Sequence, residues 1–195
     1  MSLQPAAYIS PAPAAKSAVA AQSGRGFLNI DEFLDIIKKE SAKEYMGGTK
    51  DLSTGTKIRI LVVDDHPIVR QGLAQLINSE SDLVVCSQSE NAEEAMEALE
   101  VGPVDFAIVD ISLVGSDGLE LTRRIKLRYP ALPVLILTMH DESFYARRAF
   151  GVGAAGYILK CDASEQIVHA IRSVLAGDKY ISSAVADKLS THDCC

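Results

Sequence analysis

From Ile58 onward, short apolar runs alternate with segments in which apolar residues recur every three or four positions. Short apolar runs are typical of strands that are buried on both faces, and the longer periodic segments are typical of amphipathic helices. The pattern predicts strands at 58–63, 83–87, 105–109, 133–137 and 156–159, and helices at about 67–78, 91–101, 118–128, 142–151 and 163–176.

This alternation predicts the architecture of the domain. Five strand–helix repeats with short connections are typical of a parallel sheet that is covered by helices on both faces. Right-handed crossovers then give a doubly wound α/β fold of the flavodoxin-like kind, with five parallel strands in the order 2-1-3-4-5.

The segments outside this repeat predict an extension on each side. Residues 1–28 are rich in Ala, Pro and Ser and predict a disordered tail. Residues 29–48 predict one amphipathic helix and residues 49–57 a linker. A domain at 58–178 follows, and residues 179–195 are expected to be a truncated interdomain linker or C-terminal tail. The predicted helix starts at a capping box and carries one apolar stripe, formed by Ile30, Phe33, Leu34 and Ile37. That stripe could pack on the adjacent domain, or it could dock onto a partner or a second copy.

Composition narrows the function classes. Residues 58–195 hold twelve Lys and Arg against twenty Asp and Glu, which argues against direct binding to nucleic acid. No run approaches the length of a membrane span. The four cysteines show no metal-ligand spacing and predict reduced thiols in a cytoplasmic protein. The acid-free N-terminal tail also faintly resembles an organelle transit peptide, which is the alternative for localisation.

Charged and hydroxyl side chains follow four of the five predicted strands. These strand-end residues are Asp64 and Asp65 after the first strand, Asp110 after the third, Thr138 after the fourth and Lys160 after the fifth. In a doubly wound sheet, ligands bind at the carboxyl ends of the strands, so these side chains are expected to converge there. Each of them alone could be a helix cap, a loop residue or a solvated charge, and the combination is what indicates a site.

The chemistry of the cluster points to a hard cation and a phosphoryl group. Mg²⁺ takes oxygen ligands, commonly carboxylates, waters and phosphate, and Asp64, Asp65, Asp110 and the backbone carbonyl of Ser112 could supply them. An aspartate can act as the nucleophile that forms an aspartyl phosphate. The Lys160 ammonium could then pair with a phosphoryl oxygen, and a strand-end hydroxyl could donate to another.

Five ordered motifs carry a family resemblance. The segments "ILVVDDHPIVRQGL", "AIVDISL", "GSDGLEL", "VLILTMHDE" and "GAAGYILKCDASEQIVHAI" resemble the receiver domain of bacterial two-component response regulators of the NarL/FixJ type. The resemblance covers about Ile58 to Leu189. It implies roles for the strand-end residues, namely Asp110 as the phosphoacceptor, Asp64 and Asp65 as the acidic pair, Thr138 as the switch hydroxyl and Lys160 as the phosphate-sensing lysine.

The same resemblance implies a mechanism and partners. A histidine kinase, or a small-molecule phosphodonor, would phosphorylate Asp110 with Mg²⁺. Tyr157 would then change rotamer as Thr138 moves, and the signal would pass on through protein–protein contacts that include a possible homodimer. By resemblance, Ser112 and His140 occupy positions that tune the rate of dephosphorylation.

The sequence departs from the family pattern in three places. Val114 and Ser116 stand where proline and methionine are common, which is expected to alter the loop and not the chemistry. Cys161 stands where proline often follows the lysine. The chain stops at "THDCC", before the usual helix-turn-helix domain, so we expect no DNA-binding output within it. His66 is expected to border the acidic pocket, or to contact the kinase.

Three other readings compete with a phosphorylated receiver. A phosphohydrolase of the haloacid-dehalogenase kind needs a second acid two residues after its nucleophile, where this chain has Ser112, so we expect no enzyme beyond self-phosphorylation and autodephosphorylation. A pseudo-receiver that takes no phosphate is the second alternative. The third is a DNA-binding transcriptional regulator whose output half is missing from this chain.

Overall fold

A computed structural model describes residues 57–140, 143–183 and 185–186. The tail, the helix and almost all of the linker predicted before Lys57 lie outside these described residues, as do Cys194 and Cys195.

A parallel sheet forms the centre of the domain. Its strands are β1 (Ile58–Val63), β2 (Leu83–Ser89), β3 (Phe106–Asp110), β6 (Val134–Thr138), β7 (Gly156–Leu159) and the short β8 (Tyr180–Ile181), and a separate hairpin joins β4 (Ser112–Leu113) to β5 (Ser116–Asp117). The sheet order is β2-β1-β3-β6-β7-β8 with every pairing parallel. The predicted flavodoxin-like order of the five main strands is therefore confirmed, and β8 adds a sixth strand beyond residue 178.

In the described part of the chain, five helices cover the sheet. They are α1 (Pro67–Asn78), α2 (Ala92–Val101), α3 (Gly118–Arg128), α4 (Ser143–Gly151) and α5 (Ala163–Leu175). Local sequence sets where several of them begin. Pro67 occupies the first turn of α1, where a missing N–H costs nothing. The side chains of Asn91 and Asp117 cap α2 and α3 by accepting backbone N–H groups at 2.9 and 2.8 Å.

Two apolar clusters form the core, one on each face of the sheet. Leu73 and Ile77 of α1 and Ile167 of α5 pack on one face with alternate residues of the strands. Helices α2, α3 and α4 pack on the other face, where Leu99 and Ile125 belong to the second cluster. Strands β3, β6 and β7 are buried at every position between these layers. This packing fixes the carboxyl ends of the strands as a rigid platform.

Candidate functional site

The carboxyl edge of the sheet brings the predicted strand-end residues together. Asp64 is fully buried, Asp110 is 1% exposed and Thr138 is fully buried. The parallel register explains this placement, because Asp110 pairs with Leu137 and Thr138 pairs with Leu159, the residue before Lys160. Buried carboxylates and a buried hydroxyl at one edge cost folding free energy unless they find partners.

Lys160 is the central partner of the buried carboxylates. Its Nζ lies 2.7 Å from Asp64 Oδ2 and 2.7 Å from Asp110 Oδ2. Burial lowers the pKa of Lys160, but the hydrogen bond to Asp110, the short contact with Asp64 and the charges of both carboxylates outweigh burial, so its pKa is raised above the ordinary 10.5. The ammonium therefore stays charged and holds the two aspartates close to each other.

A tight acidic cluster surrounds that ion pair. Ligand atoms of Asp64, Asp65, His66 and Asp110 all lie within 4.8 Å of one another. Asp64 Oδ2 and Asp65 Oδ1 are buried atoms that accept no hydrogen bond of normal geometry, although Lys160 Nζ and His66 Nδ1 approach them at 2.7 and 2.6 Å. Lys160 and His66 therefore lie close to these two oxygens but are poorly aligned for hydrogen bonds, so lone pairs on the oxygens remain available. Carboxylate oxygens with available lone pairs are suitable ligands for Mg²⁺.

His66 borders this cluster from the solvent side, which is the first of the two positions expected for it from the sequence. Its side chain is 61% exposed, and its backbone N–H donates to Asp64 Oδ1 at 2.9 Å. The Arg70 guanidinium, which the sequence reasoning overlooked, donates to the backbone carbonyl of Asp64. Both contacts hold the loop after β1 in the orientation that points Asp64 inward.

Ser112 and His140 close another side of the site. The Ser112 N–H donates to Asp110 Oδ1 at 3.3 Å, and Ser112 Oγ lies 3.3 Å from His140 Nε2. The backbone N–H of His140 donates to Thr138 Oγ1 at 3.0 Å. These contacts join the loops after β3 and β6 beside Asp110.

Tyr157 is buried beneath the same loop. Its ring has no solvent exposure, and its hydroxyl donates to the His140 carbonyl at 2.7 Å. The His140 ring stacks on Tyr145 of α4, with centroids 4.5 Å apart and an interplanar angle of 22°. Sequence reasoning missed Tyr145, because only its place in an amphipathic helix was visible. His140 thus connects Thr138, Tyr157 and α4.

Gly118 is a second residue that the sequence reasoning passed over. A Cβ placed on it would lie 1.9 Å from the Asp110 carbonyl oxygen and 2.9 Å from Ile111 Cα. The N–H of Gly118 donates to the Ile111 carbonyl at 2.8 Å, which closes the hairpin loop against the start of α3. Only glycine lets the helix start this close to the backbone of Asp110.

The fold of this domain is that of a signalling receiver module. Residues 60–172 match the family model described as "Response regulator receiver domain". The chain belongs to that family, and it is thereby a receiver of two-component signalling.

Curated relatives agree with this family and with the predicted NarL/FixJ-type resemblance. The chain is 34% identical over 133 residues to "Response regulator UvrY" of Escherichia coli, which covers 68% of this chain and 61% of the relative. It is 37% identical over 134 residues to "Response regulator GacA" of Pseudomonas viridiflava, with 68% and 62% covered. The chain thus spans about three fifths of the length of these relatives.

A solved structure matches the fold. The chain is similar to a "two-component response regulator, LuxR family" from Aurantimonas sp. SI85-9A1, with a TM-score of 0.66, 36% identity and coverage of 69% of this chain and 96% of that one. Among the described residues, no helix combines the length and the apolar character needed to cross a membrane.

Proposed function

We propose that this chain is a phosphoryl-accepting receiver that is modified on Asp110 with Mg²⁺, by a histidine kinase or a small-molecule phosphodonor, and that signals through protein–protein contacts. The observation that carries the proposal is the position of Lys160 Nζ, 2.7 Å from both Asp64 and Asp110 in a buried acidic cluster. A purely structural ion pair needs one carboxylate, whereas this site gathers three beside one ammonium.

Asp110 is the group best placed to act as the nucleophile. It ends the central strand β3, and its Oδ1 accepts the Ser112 N–H while its Oδ2 contacts Lys160. These two donors hold the carboxylate in one orientation before reaction, which lowers the entropic cost of attack. A carboxylate oxygen of Asp110 would form a bond to phosphorus, and the bond from phosphorus to the donor nitrogen or oxygen would break, with its electron pair kept by the donor.

The carboxylates of Asp64, Asp65 and Asp110, with the backbone carbonyl of Ser112, would hold the Mg²⁺ ion. When bound, Mg²⁺ would supply positive charge that screens the repulsion between the aspartates and the incoming phosphoryl group. The buried oxygens of Asp64 and Asp65 that lack well-aligned hydrogen bonds support this assignment.

After transfer, Lys160 and Thr138 would respond to the new charge. The Lys160 ammonium can leave the carboxylate oxygen of Asp110 for a phosphoryl oxygen, and the Thr138 hydroxyl can donate to a second one. Thr138 Oγ1 now accepts the His140 N–H, and the His140 carbonyl accepts the Tyr157 hydroxyl. Movement of Thr138 would therefore reach the Tyr157 rotamer, and Ser112 and His140 would tune the lifetime of the phosphoryl group. The resulting population shift between two arrangements is the signal.

The proposed function also includes where the protein works and what it contacts. We propose that it works in the cytoplasm, dimerises or contacts a protein partner through its phosphorylation-dependent surface, and makes no direct nucleic-acid contact itself. A DNA-binding output outside this chain is the second candidate, because one relative is named "Transcriptional regulatory protein DegU" and the chain spans 56% of it. Self-phosphorylation and autodephosphorylation would be the only catalysis.

Intact mass after incubation with acetyl phosphate and Mg²⁺ tests the proposal. We expect one phosphoryl adduct on the wild-type chain and none on Asp110→Asn or in the presence of EDTA. Asp105→Asn is the matched control, since it removes a carboxylate at the other end of β3 and should leave the adduct in place. A folded, Mg²⁺-binding protein that never gains the adduct would overturn the proposal in favour of the pseudo-receiver. Size-exclusion chromatography of the phosphorylated sample reports dimerisation.

A further inference from the structure

The short strand β8 brings a C-terminal segment onto the outer edge of β7. Tyr180 pairs with Gly156, and Ile181 pairs with Tyr157, in parallel register. The Tyr180 N–H donates to the Ala155 carbonyl at 3.2 Å, and the Ser182 N–H donates to the Tyr157 carbonyl at 3.1 Å. We call residues 180–183 and 185–186 the C-terminal strap. The backbone of Tyr157 is thus bound directly by the strap.

The strap also packs into the apolar cluster that contains the Tyr157 side chain. Residues paired in a parallel sheet point to the same face, so Ile181 stands beside Tyr157 on the side of α4. Ile181 packs against the cluster that contains Tyr157, and Val185 is a fully buried member of it. The N–H groups of Val185 and Ala186 both donate to the Ser182 carbonyl at 3.0 Å, which turns the chain back over the sheet edge.

A chain of contacts leads from the strap to the phosphorylation site. The buried Tyr157 donates its hydroxyl to the His140 carbonyl at 2.7 Å, and the His140 N–H donates to Thr138 Oγ1 at 3.0 Å. Thr138 lies two residues after Ile136, the register partner of Tyr157, and therefore on the same face of the sheet. The buried ring is the physical link between Thr138 and the strap.

We infer that Ile181 and Val185 are positioning residues that hold Tyr157 in its buried rotamer, so that docking of the strap and occupancy of the phosphoryl site favour each other. This inference rests on the proposed function of Asp110. A phosphoryl oxygen that draws Thr138 toward Asp110 leaves more room for the Tyr157 ring beneath the loop. Phosphorylation would then stabilise the buried ring, and with it the strap that belongs to the same apolar cluster and pairs with the backbone of Tyr157.

Linkage makes the coupling reciprocal. If the phosphoryl site tightens the strap, a weakened strap must lower the affinity of that site by the same factor. Residues 187–195 follow the strap directly in the chain, so a change in the docking of the strap would also act on them through the backbone.

Hydrogen exchange on the full wild-type chain tests the first direction. Beryllium fluoride with Mg²⁺ serves as the phosphoryl analogue, and the peptide that spans the strap is followed by mass spectrometry. We expect exchange at the Ser182, Val185 and Ala186 amides to slow by about fivefold or more on binding, and to remain unchanged in Asp110→Asn. Unchanged strap exchange in a sample saturated with the analogue would overturn the inference.

A matched pair of variants tests the reverse direction. Val185→Ala and Val174→Ala make the same change at buried sites, but Val174 belongs to the cluster on the opposite face of the sheet. Fluorine NMR of bound beryllium fluoride gives the concentration for half saturation. We expect it to rise about fivefold or more in Val185→Ala and to stay near the wild-type value in Val174→Ala. Equal effects of the two variants would show a merely structural role and sink the inference.

The two proposals fail in different ways. If the wild-type chain gains no adduct from acetyl phosphate and binds no beryllium fluoride, the proposed function of Asp110 fails. If it binds the analogue but the strap does not respond, only the coupling fails. These two results are distinct. The exchange experiment uses no strap variant, so its result does not depend on whether such a variant folds.

Discussion

Gly118 is in such close contact with Asp110 that a Cβ on the glycine would lie 1.9 Å from the carbonyl oxygen of the aspartate. Helix α3 therefore begins directly against the last residue of β3. The side chain of Asp110 enters the site from a backbone that is held on one side by the sheet and on the other by this helix start.

Replacing Gly118 by alanine should disturb both stability and the site. The added methyl group meets backbone atoms that cannot rotate away, so we expect a loss of about 2 kcal/mol or more in the free energy of unfolding, together with slower phosphorylation. Urea unfolding and intact mass measure the two effects. Gly72→Ala is the control, because nothing lies within 4 Å of a Cβ at this exposed helical position. Gly72→Ala should stabilise the protein by about 0.5 kcal/mol. If Gly118→Ala leaves the free energy of unfolding unchanged, the packing described above is contradicted.

Asp65→Asn should weaken Mg²⁺ binding. The substitution removes one negative charge from a cluster whose ligand atoms lie within 4.8 Å of one another, and it leaves the neutral amide oxygen as a poorer ligand. We expect the dissociation constant for Mg²⁺, measured by calorimetry, to rise by about tenfold or more. Asp178→Asn, at an exposed acid in the turn between α5 and β8, should leave it unchanged. Equal affinities of the Asp65 variant and the wild type would place the metal elsewhere.

The ion pairs of Lys160 should make stability depend on alkaline pH. Because the folded-state pKa of Lys160 is raised above 10.5, its contribution is complete below 10.5 and is lost as the pH rises through the folded-state value. Lys160→Met should cost about 3 kcal/mol at neutral pH, since it leaves two buried carboxylates without their cation. The gap in unfolding free energy between the wild type and this variant should narrow as the pH rises above 10.5 and through the raised folded-state pKa of Lys160.

Urea titrations across that pH range measure this gap. Lys57→Met, which removes an exposed lysine, controls for the loss of one charge and should show no comparable gap at neutral pH. A gap for Lys160→Met that stays constant through the alkaline range would show that packing of the lysine chain, and not its charge, carries the stability.

His140→Ala should shorten the lifetime of an aspartyl phosphate. The imidazole contacts Ser112 Oγ at 3.3 Å and stacks on Tyr145, so it closes one side of the site against water. Its loss should speed hydrolysis severalfold, because water gains access to the phosphoryl group. The decay of the adduct after removal of the phosphodonor gives the rate. Tyr145→Leu keeps the imidazole and should have the smaller effect, whereas a longer lifetime in His140→Ala would assign the imidazole to catalysis of hydrolysis.

The carboxyl edge of the sheet was largely predictable from the sequence. Apolar runs identified the strands, and parallel strands of a doubly wound sheet end at one edge, so Asp64, Asp110, Thr138 and Lys160 had to converge. Their roles in phosphorylation stay predictions until the adduct is measured. The sequence pattern predicted only that these side chains lie close together, and that prediction follows from the topology of the sheet alone.

Contacts that depend on exact placement were beyond the sequence. The stacking of His140 on Tyr145 depends on the distance and tilt of α4, which no periodicity encodes. The requirement for glycine at position 118 arises from a backbone approach that becomes visible only in three dimensions. Strand β8 has two residues, too few to show an alternation, and it pairs with a strand more than twenty residues earlier in the chain.

That sixth strand also matters for keeping copies of the chain apart. Without it, β7 would be the edge of the sheet, with its apolar residues and a row of unpaired backbone groups open to pairing with another molecule. Strand β8 pairs with Gly156 and Tyr157, the first two of the four residues of β7, and so protects that half of the edge. The same few residues that reach Tyr157 therefore also guard the domain against edge-to-edge aggregation.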